Sequence, residues 1–186
     1  MVKGGWVLFI VGLLISCSED TGQPMDNPTQ IDKYFPLKDF VENQIGLLDG
    51  STVKKTLCIQ GKIEETQTRM DAEAWRKELD IFIQSDINKA SLAMAYETEE
   101  ADSVTIHRLK PGEKSSIKEI TVLYEDEQVR WINFKAFQDE FFYRTLSEGE
   151  LVVDKLGRLR SYQVKGTQNV WFLSPNEMVI KGVVLP

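Results

Sequence analysis

The chain is poor in cysteine, has a single histidine, and has no long apolar run after its amino-terminal segment. Each shortage removes a class of protein. No segment after Ile15 approaches the ~20 apolar residues that a spanning helix needs. With His107 the only imidazole, and 29 Asp and Glu among which no partner acid stands out, no Ser/His/Asp or Cys/His set can be specified. One histidine and two cysteines also fall short of a structural zinc site. Glycines 149, 157 and 166 stand alone at turns, so no phosphate-cradling loop is present. Basic residues are outnumbered 22 to 29, which gives a formal net charge of −7 and argues against nucleic acid and against docking on an anionic membrane surface.

What is present is ordinary globular composition, with 42% hydrophobic and 27% charged residues in 186. That length supports one domain with a sizeable core. At the amino terminus Lys3 precedes an apolar stretch from Trp6 to Ile15. The stretch is about half of a membrane span and suits the h-region of a signal peptide. It ends in Leu14-Ile15-Ser16-Cys17. These four residues resemble the lipobox of bacterial lipoproteins. The resemblance implies cleavage before Cys17, a thioether to diacylglycerol on the Cys17 thiol, and acylation of the freed amine. Two or three acyl chains make a stable anchor, where one holds only marginally. Residues 1–16 are then the signal peptide, and losing Lys3 with no acid leaves a mature net charge of −8. With Cys17 so used, Cys58 stands alone and no internal disulfide forms.

Residues 17–33 read as a lipidated flexible tether, because Ser18 to Thr29 are polar, hold Gly22, Pro24 and Pro28, and lack apolar periodicity. Ser18 is not the aspartate associated with inner-membrane retention, which favours the outer membrane. Ser18-Glu19-Asp20 also resembles the acidic export signal of Bacteroidota surface lipoproteins. The expected location is thus the outer membrane, on its surface or periplasmic face.

Residues 34–186 read as one α+β domain. Leu37, Phe40, Val41, Ile45 and Leu48 recur at helical spacing, so the pattern predicts a helix over 37–48, stopped by Asp49-Gly50. Residues 52–64 alternate, with Val53, Leu57, Ile59 and Ile63 assigned to one side of a single half-buried strand. Thr68-Arg69-Met70-Asp71 has capping-box form, and Trp75, Leu79, Phe82, Ile83, Asp86, Ile87 and Ala90 map a second, longer amphipathic helix.

From Ser91 on, strand-like runs follow one another: 92–96, 103–109, 117–124, 129–134, 141–146, 150–153, 159–164, 170–173 and 178–184, with 135–140 the one later stretch that could be helical. Turn chemistry separates them, at Lys110-Pro111-Gly112, Glu125-Asp126-Glu127, Ser147-Glu148-Gly149, Asp154–Gly157, Gly166-Thr167 and Ser174-Pro175-Asn176. The short gaps imply hairpins. The predicted architecture is two amphipathic helices packed on one curved antiparallel sheet of about seven or eight strands. Apolar residues on both parities of 129–134 predict a strand covered on both faces.

Few side chains suggest chemistry. Cys58 falls on the polar side of its strand with only Lys54 and Lys62 near it in sequence, too generic to mark a reactive thiol. Glu125-Asp126-Glu127 reads as a solvated hairpin tip that lacks the spaced ligands of a calcium loop. Carboxylate pairs of the glycosidase kind are assembled in space, and nothing in the sequence singles one out. His107 reads as a surface or sheet-edge residue, and Trp75 as core. Trp131 and Trp171 read mainly as core too, with stacking on a glycan across a concave sheet as the functional option. Phe137, Phe141, Phe142 and Tyr143 form an aromatic stretch that could line an apolar groove.

The closing residues Asp154–Arg158, Tyr162–Gly166, Ser174-Pro175-Asn176 and Ile180-Lys181-Gly182 resemble the last strands of small Bacteroidota lipoproteins of no known activity. The expectation is a lipid-anchored, non-enzymatic binding or structural module without cofactor or metal. It is held to the membrane through lipid on Cys17 and takes a glycan or protein ligand. The alternative is a carrier or chaperone for lipid or lipoprotein, similar to the lipoprotein-carrier fold, with an apolar cavity in an open antiparallel barrel.

Overall fold

A computed structural model describes residues 30–172 and 175–186. Cys17, the leader and most of the expected tether lie outside the described residues.

The order of elements is α1 (Leu37–Leu48), β1 (Thr52–Ile59), β2 (Lys62–Arg69), α2 (Ala72–Glu78), α3 (Asp80–Gln84), a 3-10 turn at Ala90–Leu92, β3 (Tyr96–Ala101), β4 (Val104–Leu109), β5 (Ile117–Glu125), β6 (Gln128–Asp139), β7 (Tyr143–Val153), β8 (Leu159–Val170) and β9 (Asn176–Val184). The strands form one sheet in the order β2-β1-β9-β8-β7-β6-β5-β4-β3. Every neighbouring pair is antiparallel. Strands β3 to β9 are therefore an uninterrupted meander, and the β1–β2 hairpin is added beside β9. The edges β2 and β3 do not meet, so the sheet is not closed.

The α+β class and the antiparallel meander agree with the sequence reading. The counts differ: nine strands among the described residues rather than seven or eight, and three short helices rather than two amphipathic ones. α1 has the predicted bounds and turns Leu37, Val41, Ile45 and Leu48 inward. The second helix is shorter than predicted and bent. Asp71 caps it, its carboxylate accepting from the Ala74 amide at 2.8 Å, while Thr68 pairs within the β1–β2 ladder. The helical run breaks at Leu79 and ends at Gln84. Beyond it, Ser85 Oγ donates to the Ile81 carbonyl, and Asp86 Oδ1 accepts from the Asn88 amide. Such local side-chain bonds compete with helix continuation. The apolar stripe survives the break, since Trp75, Leu79 and Phe82 are all fully buried.

The core lies between these helices and one face of the sheet, on Val53, Ile120, Val122, Ile132, Phe134, Leu151, Tyr162 and Val164. Two glycines make room for its rings. Gly149 is the cross-strand partner of Phe134, and a Cβ there would lie 2.2 Å from Phe134 Cε1 and 2.8 Å from Phe82 Cε1. Gly182 faces Tyr162 in the same way, with a clash at 2.1 Å.

Several strand boundaries need correction. Residues 52–64 are two strands joined at Gln60 and Gly61, both with positive φ (48° and 79°). Ile59 pairs with Lys62, and Ile63 with Cys58, so Ile63 shares a face with Cys58 rather than with Ile59. Residues 92–95 are turn, and β3 starts at Tyr96. Ser147-Glu148-Gly149 and Gly166-Thr167 lie inside β7 and β8, and 135–139 extend β6 rather than forming a helix. In β6, Ile132 and Phe134 are buried under the helices, and Val129 and Ala136 pack part-buried against the same core. Trp131 is half-buried on the other face, which no helix covers.

Candidate functional site

The helix-free face of the sheet is solvated by charge. Arg108, Glu119, Lys135, Glu148 and Lys165 are successive cross-strand partners from β4 to β8. Glu119 accepts from Lys135 Nζ at 2.9 Å and from Arg108 Nε at 3.2 Å, which holds its carboxyl below the usual range. Opposite charges directly across strands stabilise a sheet modestly, and this row reads as a wet surface.

Inside the fold the polar groups fasten elements together. His107 is 3% exposed, on β4, one strand in from the edge, which corrects its reading as a surface or sheet-edge residue. Its Nε2 accepts from the Phe35 amide at 3.0 Å, leaving the ring proton on Nδ1, 2.9 Å from Thr98 Oγ1. Burial pushes its pKa down. Asn88 Oδ1 accepts from the Lys33 and Tyr34 amides, and Asp86 Oδ2 from the Lys38 amide. Of the expected tether, Gln30 to Lys33 are described, and this stretch is bound to the loop that follows α3 through a Gln30–Lys89 bridge and the Ile31 amide on the Asn88 carbonyl.

A second cluster joins the buried Tyr162 to the half-buried Glu78 and Lys55. The Tyr162 hydroxyl donates to Glu78 Oε1 at 2.6 Å, and Lys55 Nζ donates to Glu78 Oε2 at 2.5 Å. Burial and the adjacent carboxylate drive the phenol pKa far upward. A phenol so held keeps its proton, and the cluster clamps α2 to β1 and β8. Cys58 is a free, half-buried thiol whose cross-strand partners are Ile63 and Val179, both aliphatic. Asp126 and Glu127 take positive φ at the tip of the β5–β6 hairpin. Among the described residues no three His, Cys, Asp or Glu side chains are grouped to hold a metal ion, and no helix is long and apolar enough to cross a membrane.

The surface that stands out lies at one end of the sheet. Phe141, Phe142, Trp171 and Phe172 are 87, 57, 78 and 72% exposed. The first two form the β6–β7 turn, and the other two follow β8. The Trp171 amide donates to the Phe142 carbonyl at 3.2 Å, which joins the two ends. Phe141 and Phe142 meet edge to face, with ring centroids 4.7 Å apart and planes at 88°. Tyr143 and Leu146 extend the apolar area. A depression of ≈ 560 Å³ runs between the two ends, lined by Asp139, Phe142, Arg144, Asn169, Trp171 and Pro175 among others. Exposed apolar patches of this kind mark contact surfaces.

The structure therefore gathers Phe141, Phe142 and Tyr143 with Trp171, and adds Phe172 and Leu146, which the sequence did not single out. Trp131 is not part of this end. It pairs with Val152, and Val152 to Tyr143 along β7 spans roughly 30 Å. The option of Trp131 and Trp171 acting together on one glycan is thus removed. Phe137, half-buried and paired with Leu146, links the end to the helix-free face. No known protein family, curated protein or solved structure matches this chain.

Proposed function

We propose that this chain is a lipid-anchored envelope lipoprotein acting as a non-enzymatic binding or structural module. Leu14-Ile15-Ser16-Cys17 supports the anchor, with the leader removed before Cys17 and lipid on its thiol. The binding reading is carried by the aromatic end, where four large rings face solvent on two joined loops. Leaving such rings in water is costly unless a partner covers them. The titratable groups in the interior are engaged in holding elements together, as His107, Asp86 and Glu78 are, which supports a scaffold rather than a reaction centre. Glycan, protein and lipid are the ligand classes that aromatic surfaces serve.

The carrier alternative asks for an apolar cavity between sheet and helices. That space is filled by Trp75, Leu79, Phe82 and Phe134, with Phe82 and Phe134 edge to face at 5.4 Å, so no observation favours it.

The test is to express the full chain in a diderm bacterium and weigh the mature amino-terminal peptide. A diacylglyceryl-modified and N-acylated Cys17, lost together with membrane association in Cys17→Ala, is the expected result. A water-soluble protein with a free Cys17 thiol would overturn the proposal.

A further inference from the structure

Two adjoining depressions lead from the start of the described chain toward the aromatic end. Gln30 lines a depression together with Gln84, and Gln84 lines another with Gln138 and Thr145. Gln138 and Thr145 are cross-strand partners near the β6–β7 turn, about 10 Å along the strand from Phe141 and Phe142. Residues 17–29 are polar, and a chain of that composition reaches ~20 Å from its attachment point. An anchor at Cys17 therefore holds this end of the sheet within reach of the bilayer.

The chemistry of the end suits that neighbour. Tryptophan and tyrosine rings are at home in the interfacial layer, and phenylalanine partitions beneath it. The charged residues of the depression are Asp139, Glu140 and Arg144, and Arg144 Nε is held by Asp139 Oδ1 at 2.8 Å, so the end offers no basic cluster for anionic headgroups. A sugar needs a flat ring platform, whereas Phe141 and Phe142 stand almost perpendicular.

We infer that the Phe141–Phe142 and Trp171–Phe172 loops dock into the interfacial layer of a zwitterionic bilayer, fixing the orientation of the sheet above its own membrane. The bilayer is close because of the Cys17 anchor, so the inference rests on the function proposed above.

The full chain, purified from membranes and reconstituted into phosphatidylcholine vesicles with or without brominated acyl chains, tests it. Tryptophan emission is compared between the natural protein and Trp171→Phe, which isolates the Trp171 component from those of Trp75 and Trp131. That component should be blue-shifted in vesicles and lost when the lipid is brominated, and the double variant F141S/F142S should restore it. Flotation and the mass of Cys17 are read on the same sample. Lipid-bearing, floating protein with unquenched Trp171 overturns docking and leaves the anchor standing. Quenched Trp171 on floating protein with a bare Cys17 supports docking and overturns the anchor. Unquenched Trp171 accompanied by self-association, or by protection on adding oligosaccharide, assigns the end to a second copy or to a glycan and also overturns docking.

Discussion

Gly149 and Gly182 show how little freedom some residues have. Each lies under an aromatic ring of the neighbouring strand, and the ring occupies the place of the missing side chain. Aromatic–glycine pairs across strands are a known way to pin register. Gly149→Ala should cost about 1–3 kcal/mol, as overpacking of a filled core does, read as a lower urea midpoint with an unchanged slope. An unaltered midpoint would mean that Phe134 and Phe82 can give way.

His107 makes a second residue-scale prediction. The fold needs its neutral form, because Nε2 accepts from the Phe35 amide in a buried setting. Its folded pKa is lowered, so the unfolded chain binds the proton first as pH falls. The native advantage is complete above ~6.5 and erodes below it, by at most about 1.4 kcal/mol per pH unit. Carboxylates such as Glu119, held low by Lys135, keep their contribution above the ordinary carboxylate range and lose it only as pH falls through that range and below. Thermal melts should therefore fall between pH 7 and pH 5 in the natural protein. His107→Gln, less stable at neutral pH, should show a flatter profile across that window; parallel profiles would exclude His107 as the source.

At the scale of elements, short helices depend on their ends. α2 has seven residues and begins on the Asp71 carboxylate. Asp71→Ala should cost about 1 kcal/mol, as loss of an N-cap does, measured by chemical denaturation. α2 and α3 lie on the connection from β2, at one edge of the sheet, to β3, at the other. That crossing carries Trp75, Leu79 and Phe82 over the strands and builds the core. Among the described residues the buried indole N–H of Trp75 finds no acceptor, a cost accepted within that packing.

For the whole molecule, the open sheet presents two edges, β2 and β3, that are unpaired among the described residues. β3 bears Glu97, Glu99 and Glu100, all exposed, while β2 is exposed along its length and carries Lys62, Glu64, Glu65 and Arg69. Charges on an edge strand discourage pairing with another chain. Replacing Glu97, Glu99 and Glu100 with threonine should raise self-association in light scattering while the melting profile stays cooperative. A variant that associates no more than its parent would show that the acids do not protect this edge.

Much of the fold could be read from local pattern. The bounds of α1, the inward stripe of Trp75, Leu79 and Phe82, the Asp154–Gly157 turn and the antiparallel succession of strands all follow from spacings within a dozen residues. The Gln60-Gly61 turn is not visible in the pattern, because a two-residue hairpin interrupts an alternating run too briefly to break its rhythm, and the pattern therefore puts Ile63 on the wrong face. Ser147–Gly149 looked like a turn because glycine serves turns more often than it serves a neighbouring ring. Three features were decided by tertiary structure alone: the pairing of β1 with β9, the burial of His107 against Phe35, and the meeting of Phe141 and Phe142 with Trp171 and Phe172. All three join residues far apart in the chain. Hydrophobic periodicity says which side of an element is dry, but it carries no information about which distant element supplies the cover, or which rings are left without one.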